Sequence, residues 1–187
     1  FVFAPGPPFG GVVERTIDLR PLAVYNPRGL ALTSEGELLI ADTGGGRVLV
    51  CDAAGRLLRT VGTLGTGRGE LLDPMDVAPE ATGNLVVADV GNGRLVRFAP
   101  DGRVLDLWPR DDGRAALEQV RLDRDSLGVV WTAGGARGEL LRFDPAAGLT
   151  VFGAAIERPI VGLSARAAGR IHLVAHLALA PGELGDR

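Results

Sequence analysis

The sequence contains no lysine: all 20 basic residues are arginine, set against 23 acidic ones for a net charge of −3. That balance offers no basic field to a nucleic-acid backbone or an anionic membrane surface. Aromatic residues make up only 5% of the chain, too few for a platform on which single-stranded bases stack. A lone cysteine, Cys51, excludes an intramolecular disulfide, so the fold rests on packing. No apolar run approaches the roughly 18 residues that a membrane-spanning helix needs. The opening FVFAPGPPFGG lacks the charged stretch of a secretory signal, and the compartment is left open. What is present is 46% hydrophobic content in 187 residues, enough for a sizeable core in one domain.

An internal repeat organises that content. The segment beginning at Pro27 aligns without a gap to the segment beginning at Pro74 (74 − 27 = 47). Pro27/Pro74, Gly36/Gly83, Ala41/Ala88, Asp42/Asp89, Gly44/Gly91, Arg47/Arg94 and Gly55/Gly102 are identities at that one offset. Copies of this length with no helical periodicity point to propeller blades. Within the first copy GLAL, ELLIAD, RVLVCD and LLRTV are short apolar runs closed by turn residues, the pattern of four strands per repeat. Ser34, Glu35 and Gly36 are expected to join the first two strands, and Ala53, Ala54 and Gly55 the last two. Small Ala41 and Ala88 are expected to admit a neighbouring blade closely.

The order NPRGLAL, GELLIADTGGGRV, AAGRLLRTVG resembles the NHL repeat, and the second copy keeps ADVGNGR with Asn92 where the first has Gly45. The glycine-studded link from Gly62 to Pro74 is similar to the family's connector, and the resemblance is strongest over residues 26–108. It implies an all-β fold, a β-propeller of four-stranded antiparallel blades. About three full blades plus a partial one are expected, as part of a larger propeller. Residues 1–25 are read as lead-in strands, 26–73 and 74–117 as blades, 118–157 as a degenerate blade and 158–187 as a partial blade. In the third copy Val129 to Ala133 is set opposite Leu85 to Asp89, a spacing of 44. This puts Ala133 at the family's aspartate, while Phe143 is set opposite Phe98 at 45. In the fourth, Pro159 stands for the repeat proline and GRIHLVA for the second strand.

Chemical motifs are sparse. GTLGTGRGE lacks the Gly-Lys-Ser/Thr of a phosphate loop and reads as a connector. His172 and His176 have the spacing to share one face, but HLVAH lacks the glutamate of a zincin helix, and no metal or other cofactor is expected. Cys51, in an apolar strand, reads as a small buried hydrophobe. Asp42 and Asp89, directly before glycine-rich turns, are expected to accept turn amides and pair with Arg47 and Arg94; together with Asn92 these are structural turn residues. Asn26, Arg28, Asp73 and Asp76, at strand starts near the channel rim, are the candidate binding residues. Arg59, Arg97 and Arg103 are expected mainly to solvate a face.

The function expected from this is a non-catalytic propeller that binds a protein, or the rest of a larger chain or assembly, as a structural module. Membrane and nucleic-acid partners are not expected. The resemblance also implies two alternatives. One is a lactonase-like or amidating-lyase-like enzyme whose channel metal is held partly by blades outside this chain, and the other is a single-stranded RNA binder.

Overall fold

The computed structural model describes residues 16–108, 121–124, 129–134, 139–144, 148–151, 160–166 and 170–175. The first blade is a sheet of order β1-β2-β3-β4, from β1 (Pro27–Leu32), β2 (Leu38–Asp42), β3 (Arg47–Cys51) and β4 (Leu57–Val61). A connector holding the short parallel pair β5 (Thr63–Leu64) and β6 (Glu70–Leu71) leads to the second blade. That blade repeats the meander in β7 (Pro74–Pro79), β8 (Leu85–Asp89), β9 (Arg94–Phe98) and β10 (Val104–Trp108). A third is formed by β11 (Arg121–Arg124), β12 (Val130–Gly134), β13 (Glu139–Asp144) and β14 (Gly148–Val151). The hairpin of β15 (Ile160–Arg166) and β16 (Arg170–Ala175) begins a fourth. The fold is a partial β-propeller.

Local chemistry explains the meander. Gly36 (φ 82°) and Gly55 (φ 83°) occupy the left-handed region at the two hairpin turns, where a side chain would be strained. Each turn amide is satisfied locally, Gly36 N by Thr33 O at 3.1 Å and Gly55 N by Asp52 O at 2.9 Å. Between turns, alternation sends one set of side chains to each face of the sheet.

Blades stack through those faces. Leu39, Ala41, Val48, Val50 and Val61 of the first blade pack against Val77, Leu85, Val87, Val96 and Phe98 of the second. On the other face of the second blade, Ala78, Val86, Ala88, Leu95 and Trp108 meet Leu122 and Val130 of the third. Each buried aliphatic side chain contributes about 1.5–3 kcal/mol, so these interfaces dominate stability over any surface ion pair. Ala41 and Ala88 are fully buried within them. The outward face of the first blade, with Ile40, Leu49 and Cys51, is covered by Leu19, Leu22 and Val24. The inner strands lie side by side, β1 against β7, β7 against β11 and β11 against β15, and so line the axis of the propeller.

Strand pairing corrects the alignment of the third repeat. Leu85 pairs with Phe98 and Val130 with Phe143, while Asp89 pairs with Arg94 and Gly134 with Glu139. The spacing is therefore 45 throughout this hairpin (130 − 85, 139 − 94). The position of the family's aspartate is Gly134, not Ala133, and Ala133 takes the place of the small Ala88. A one-residue slip exchanges the two faces of a strand. Only the corrected register puts Val130 on the face that meets the second blade.

Candidate functional site

Each of the first two blades carries the same polar clamp. Asp89 is fully buried at the end of β8, and its Oδ1 accepts the amides of Leu72 (2.9 Å) and Asp73 (3.3 Å). Its Oδ2 accepts Arg94 Nε (3.0 Å) and Asn92 Nδ2 (2.7 Å). Arg94 Nη2 then donates to the carbonyls of Gly67 and Glu70, both at 2.7 Å. The pair thus grips the connector that leads into its own blade. In the first blade buried Asp42 accepts Tyr25 N (2.6 Å) and Arg47 Nε (2.7 Å), and Arg47 Nη2 reaches the carbonyls of Leu22 and Ala23. Tyr25 and Leu72 are themselves 47 residues apart, so the clamp is repeated with its target. Asn92 adds a bond to Gly65 O (3.0 Å), which Gly45 cannot supply. A Cβ at Gly45 would run into Asp42 Oδ2 as that carboxylate is placed.

The connector amide that a phosphate reading would leave for an anion is already taken. Gly67 N donates to Glu70 Oε2 at 2.7 Å, closing the loop on its own glutamate. Cys51 is buried and its thiol is pushed up by burial and by Asp52. His172 stands on β16 opposite Ser164, while His176 lies outside the described residues. Among the described residues, no three His, Cys, Asp or Glu gather as a metal-binding group.

The four rim candidates divide. Asn26 (φ 54°) and Arg28 are exposed at the start of β1, and Asp73 is half-buried, its carbonyl accepting Val90 N at 3.1 Å. Asp76 is instead buried between inner strands. Its Oδ1 accepts Val77 N (3.0 Å) and its Oδ2 accepts Leu122 N (2.9 Å) from the third blade. Burial pushes this carboxyl up to about 6, against the opposing pull of those two amides and of Arg121, with Asp123 adding to the rise.

Two features were not expected. Arg97 and Arg59 do more than solvate a face: Arg97 Nε and Nη2 each lie 2.7 Å from the buried carboxylate of Glu80, and Arg59 forms a two-pronged pair with Glu37. Burial alone would raise Glu80, but Arg97, Asn84 and Thr82 outweigh it and hold the carboxyl below its ordinary range. Arg103 remains exposed, in keeping with a solvating role. The second feature is an apolar rim. Tyr25 (71% exposed), Leu64 (60%) and Leu72 (41%) stand beside the turns that end β2 and β8. The side chains of Tyr25 and Leu64 flank Gly44 and Gly46 of the first blade, and Leu72 flanks Gly91 of the second. The signal in sequence was the shared offset of Tyr25 and Leu72, two apolar residues at one repeat position directly before a polar one.

The clamps, the stacked four-stranded sheets and the inner-strand axis define a segment of a β-propeller. The NHL repeat model matches residues 24–52, so the chain carries an NHL repeat within that fold. Solved structures of similar fold include virginiamycin B lyase from Staphylococcus aureus in complex with quinupristin, at TM-score 0.62 and 14% identity, covering 80% of this chain and 48% of that one. A gluconolactonase from Xanthomonas campestris aligns at TM-score 0.55 and 19% identity, covering 73% and 49%. YCF48 bound to D1 peptide aligns at TM-score 0.57 and 16% identity, covering 83% and 52%. The chain thus spans about half the length of these propellers. No curated protein matches it by sequence.

Proposed function

We propose that this propeller segment is a protein-binding module that engages its partner through the rim bearing Tyr25, Leu64 and Leu72. The carrying observation is the exposure of these three apolar side chains next to the polar Asn26, Arg28 and Asp73. An aromatic and aliphatic centre with a polar border is the composition of protein interfaces. Support comes from the rigidity below it. The buried acids Asp42 and Asp89 are committed to the backbone and to arginines, so they hold the rim in place. YCF48 with its bound peptide is a propeller that receives a polypeptide, which favours the same reading here.

The test is parallel affinity capture with the wild type and with a Tyr25→Asp/Leu72→Asp variant whose circular dichroism and thermal unfolding match it. A protein retained by the wild type and lost by the variant supports the rim. Equal retention of the same protein by both would remove the rim from the reading.

A second reading, a channel enzyme, is favoured by the lyase and the gluconolactonase among the similar folds. Turnover of a lactone or of quinupristin by the purified protein, persisting in the rim variant, would favour it over the binding module.

A further inference from the structure

The second blade packs on the first through Val77, Val87, Val96 and Phe98, each at most 1% exposed. At the repeat offset of 47 their counterparts in the first blade are Leu30, Ile40, Leu49 and Cys51. These four mark the face on which a neighbouring blade would sit. Ile40, Leu49 and Cys51 are nonetheless fully buried, and the side chains packed over them include Leu19, Leu22 and Val24 of the segment ahead of β1. Leu30 and Leu32, on the inner strand, stay 60% and 63% exposed.

The covering segment is two-sided. Ile17, Leu19, Leu22 and Val24 are half-buried, while Thr16, Asp18, Arg20 and Ala23 are exposed. One turn of 3-10 helix, Arg20–Leu22, sets this spacing, with Leu22 N donating to Leu19 O at 3.0 Å. Asp18 accepts the amide (3.0 Å), Nε (2.9 Å) and Nη2 (2.8 Å) of Arg20 and fixes the chain where it enters that turn.

The connector into the second blade takes another course. Ile17 and Leu64 hold one repeat position (64 − 17 = 47). Leu64 lies against Gly46, the turn that precedes β3, whereas Ile17 lies against Gly55, the turn that follows it. Leu19 and Leu22 correspond to Thr66 and Gly69, which offer no such apolar cover; only Val24 keeps an apolar counterpart, Leu71. The segment ahead of β1 therefore runs the height of β3 across a sheet face, where the connector stays at the rim.

We infer that residues 17–24 are a fixed cap that takes the seat of a neighbouring blade and seals the stack of sheets at the first blade. Three of the four side chains that a blade would contact are already enclosed by it. The occupant of the seat is this chain's own segment, and the inner-strand leucines lie outside its cover. A stack of repeats is soluble when its end piece is apolar toward the sheet and polar toward water, because a bare apolar face associates.

Cys51 is the one cysteine of the chain and lies under the cap, so its reaction with an aromatic disulfide reagent reports the cover. In the native 187-residue protein the thiol should be protected. Leu19→Ser/Leu22→Ser should react at least ~10-fold faster, with an unchanged circular dichroism spectrum, because only a local cover is loosened. Leu30→Ser/Leu32→Ser, outside the cap, should label at the wild-type rate. Rapid labelling of the wild type overturns the cap, as does protection retained by Leu19→Ser/Leu22→Ser or lost in Leu30→Ser/Leu32→Ser. Protection that disappears on dilution, in step with dissociation seen by sedimentation, assigns the cover to a second copy and overturns it too. Should Leu19→Ser/Leu22→Ser fail to fold, nuclear Overhauser contacts in the wild type decide the case: methyl contacts of Leu19 or Leu22 with Leu49 support the cap, and their absence removes it.

Discussion

Arg94 lies 3.0 Å from the fully buried carboxylate of Asp89 and, through its other arm, holds two carbonyls of the connector that precedes its blade. The pair is a joint between sequence-distant pieces of backbone. Removing only the cation leaves a buried anion, at a cost of about 3–5 kcal/mol. Arg94→Met should therefore lower unfolding stability by that order, and adding Asp89→Asn should recover part of the loss. Urea unfolding of the single and double variants measures both.

Overpacking should be as costly at the blade interface. Ala88 is fully buried between the second and third blades. Ala88→Leu should destabilise by about 1–3 kcal/mol, whereas Ala53→Leu on an exposed turn should change stability by no more than about 0.5 kcal/mol. Paired thermal melts at one pH would distinguish them.

Two buried acids should give opposite pH slopes. Glu80, held below its ordinary range with Arg97, contributes stability that is present above the ordinary glutamate value and lost as pH falls through its lower folded value. Glu80→Gln should weaken the protein at neutral pH and flatten the acid limb.

Asp76 runs the other way. Its folded value is raised from 3.8 to about 6, so stability declines as pH rises through that window and stays reduced above it. Asp76→Asn should raise neutral-pH stability by up to about 3 kcal/mol, since each tenfold change in proton affinity is worth about 1.4 kcal/mol. Unfolding midpoints at pH 4 and pH 7 read the difference.

The third blade has Gly134 and Glu139 at the places of Asp89 and Arg94. Without that clamp, its amides should exchange with solvent faster than those of β2, β3, β8 and β9. Native-state hydrogen exchange resolved by strand would show this, and equal protection across the three blades would contradict it.

Much of the fold was legible in the chain because the repeat is built from local rules. Gly36 and Gly55 stand where hairpins need a left-handed residue, and alternating apolar residues define sheet faces without reference to anything distant. The Asp42/Arg47 and Asp89/Arg94 pairs were also readable, since both partners lie on one hairpin. In the third repeat the sequence alignment stands one residue from the strand register, at the place where the aspartate is missing. Without that anchor, Ala133 and Gly134 are equally good matches, and only pairing with Glu139 chooses between them.

What lay outside local reading was set by neighbours from elsewhere in the chain. Arg97 looks like a surface cation until Glu80 is brought to it from the turn that follows β7. Asp76 looks like a rim residue until Gly29 and the amide of Leu122 enclose it. By itself, the sequence determined the blade: its strands, its turns and the clamp within its hairpin, all encoded over short separations. Tertiary structure alone decided which acids are paired, which is buried with no ion pair among the described residues and which apolar side chains remain on the rim, because desolvation depends on what a neighbouring blade places against a residue.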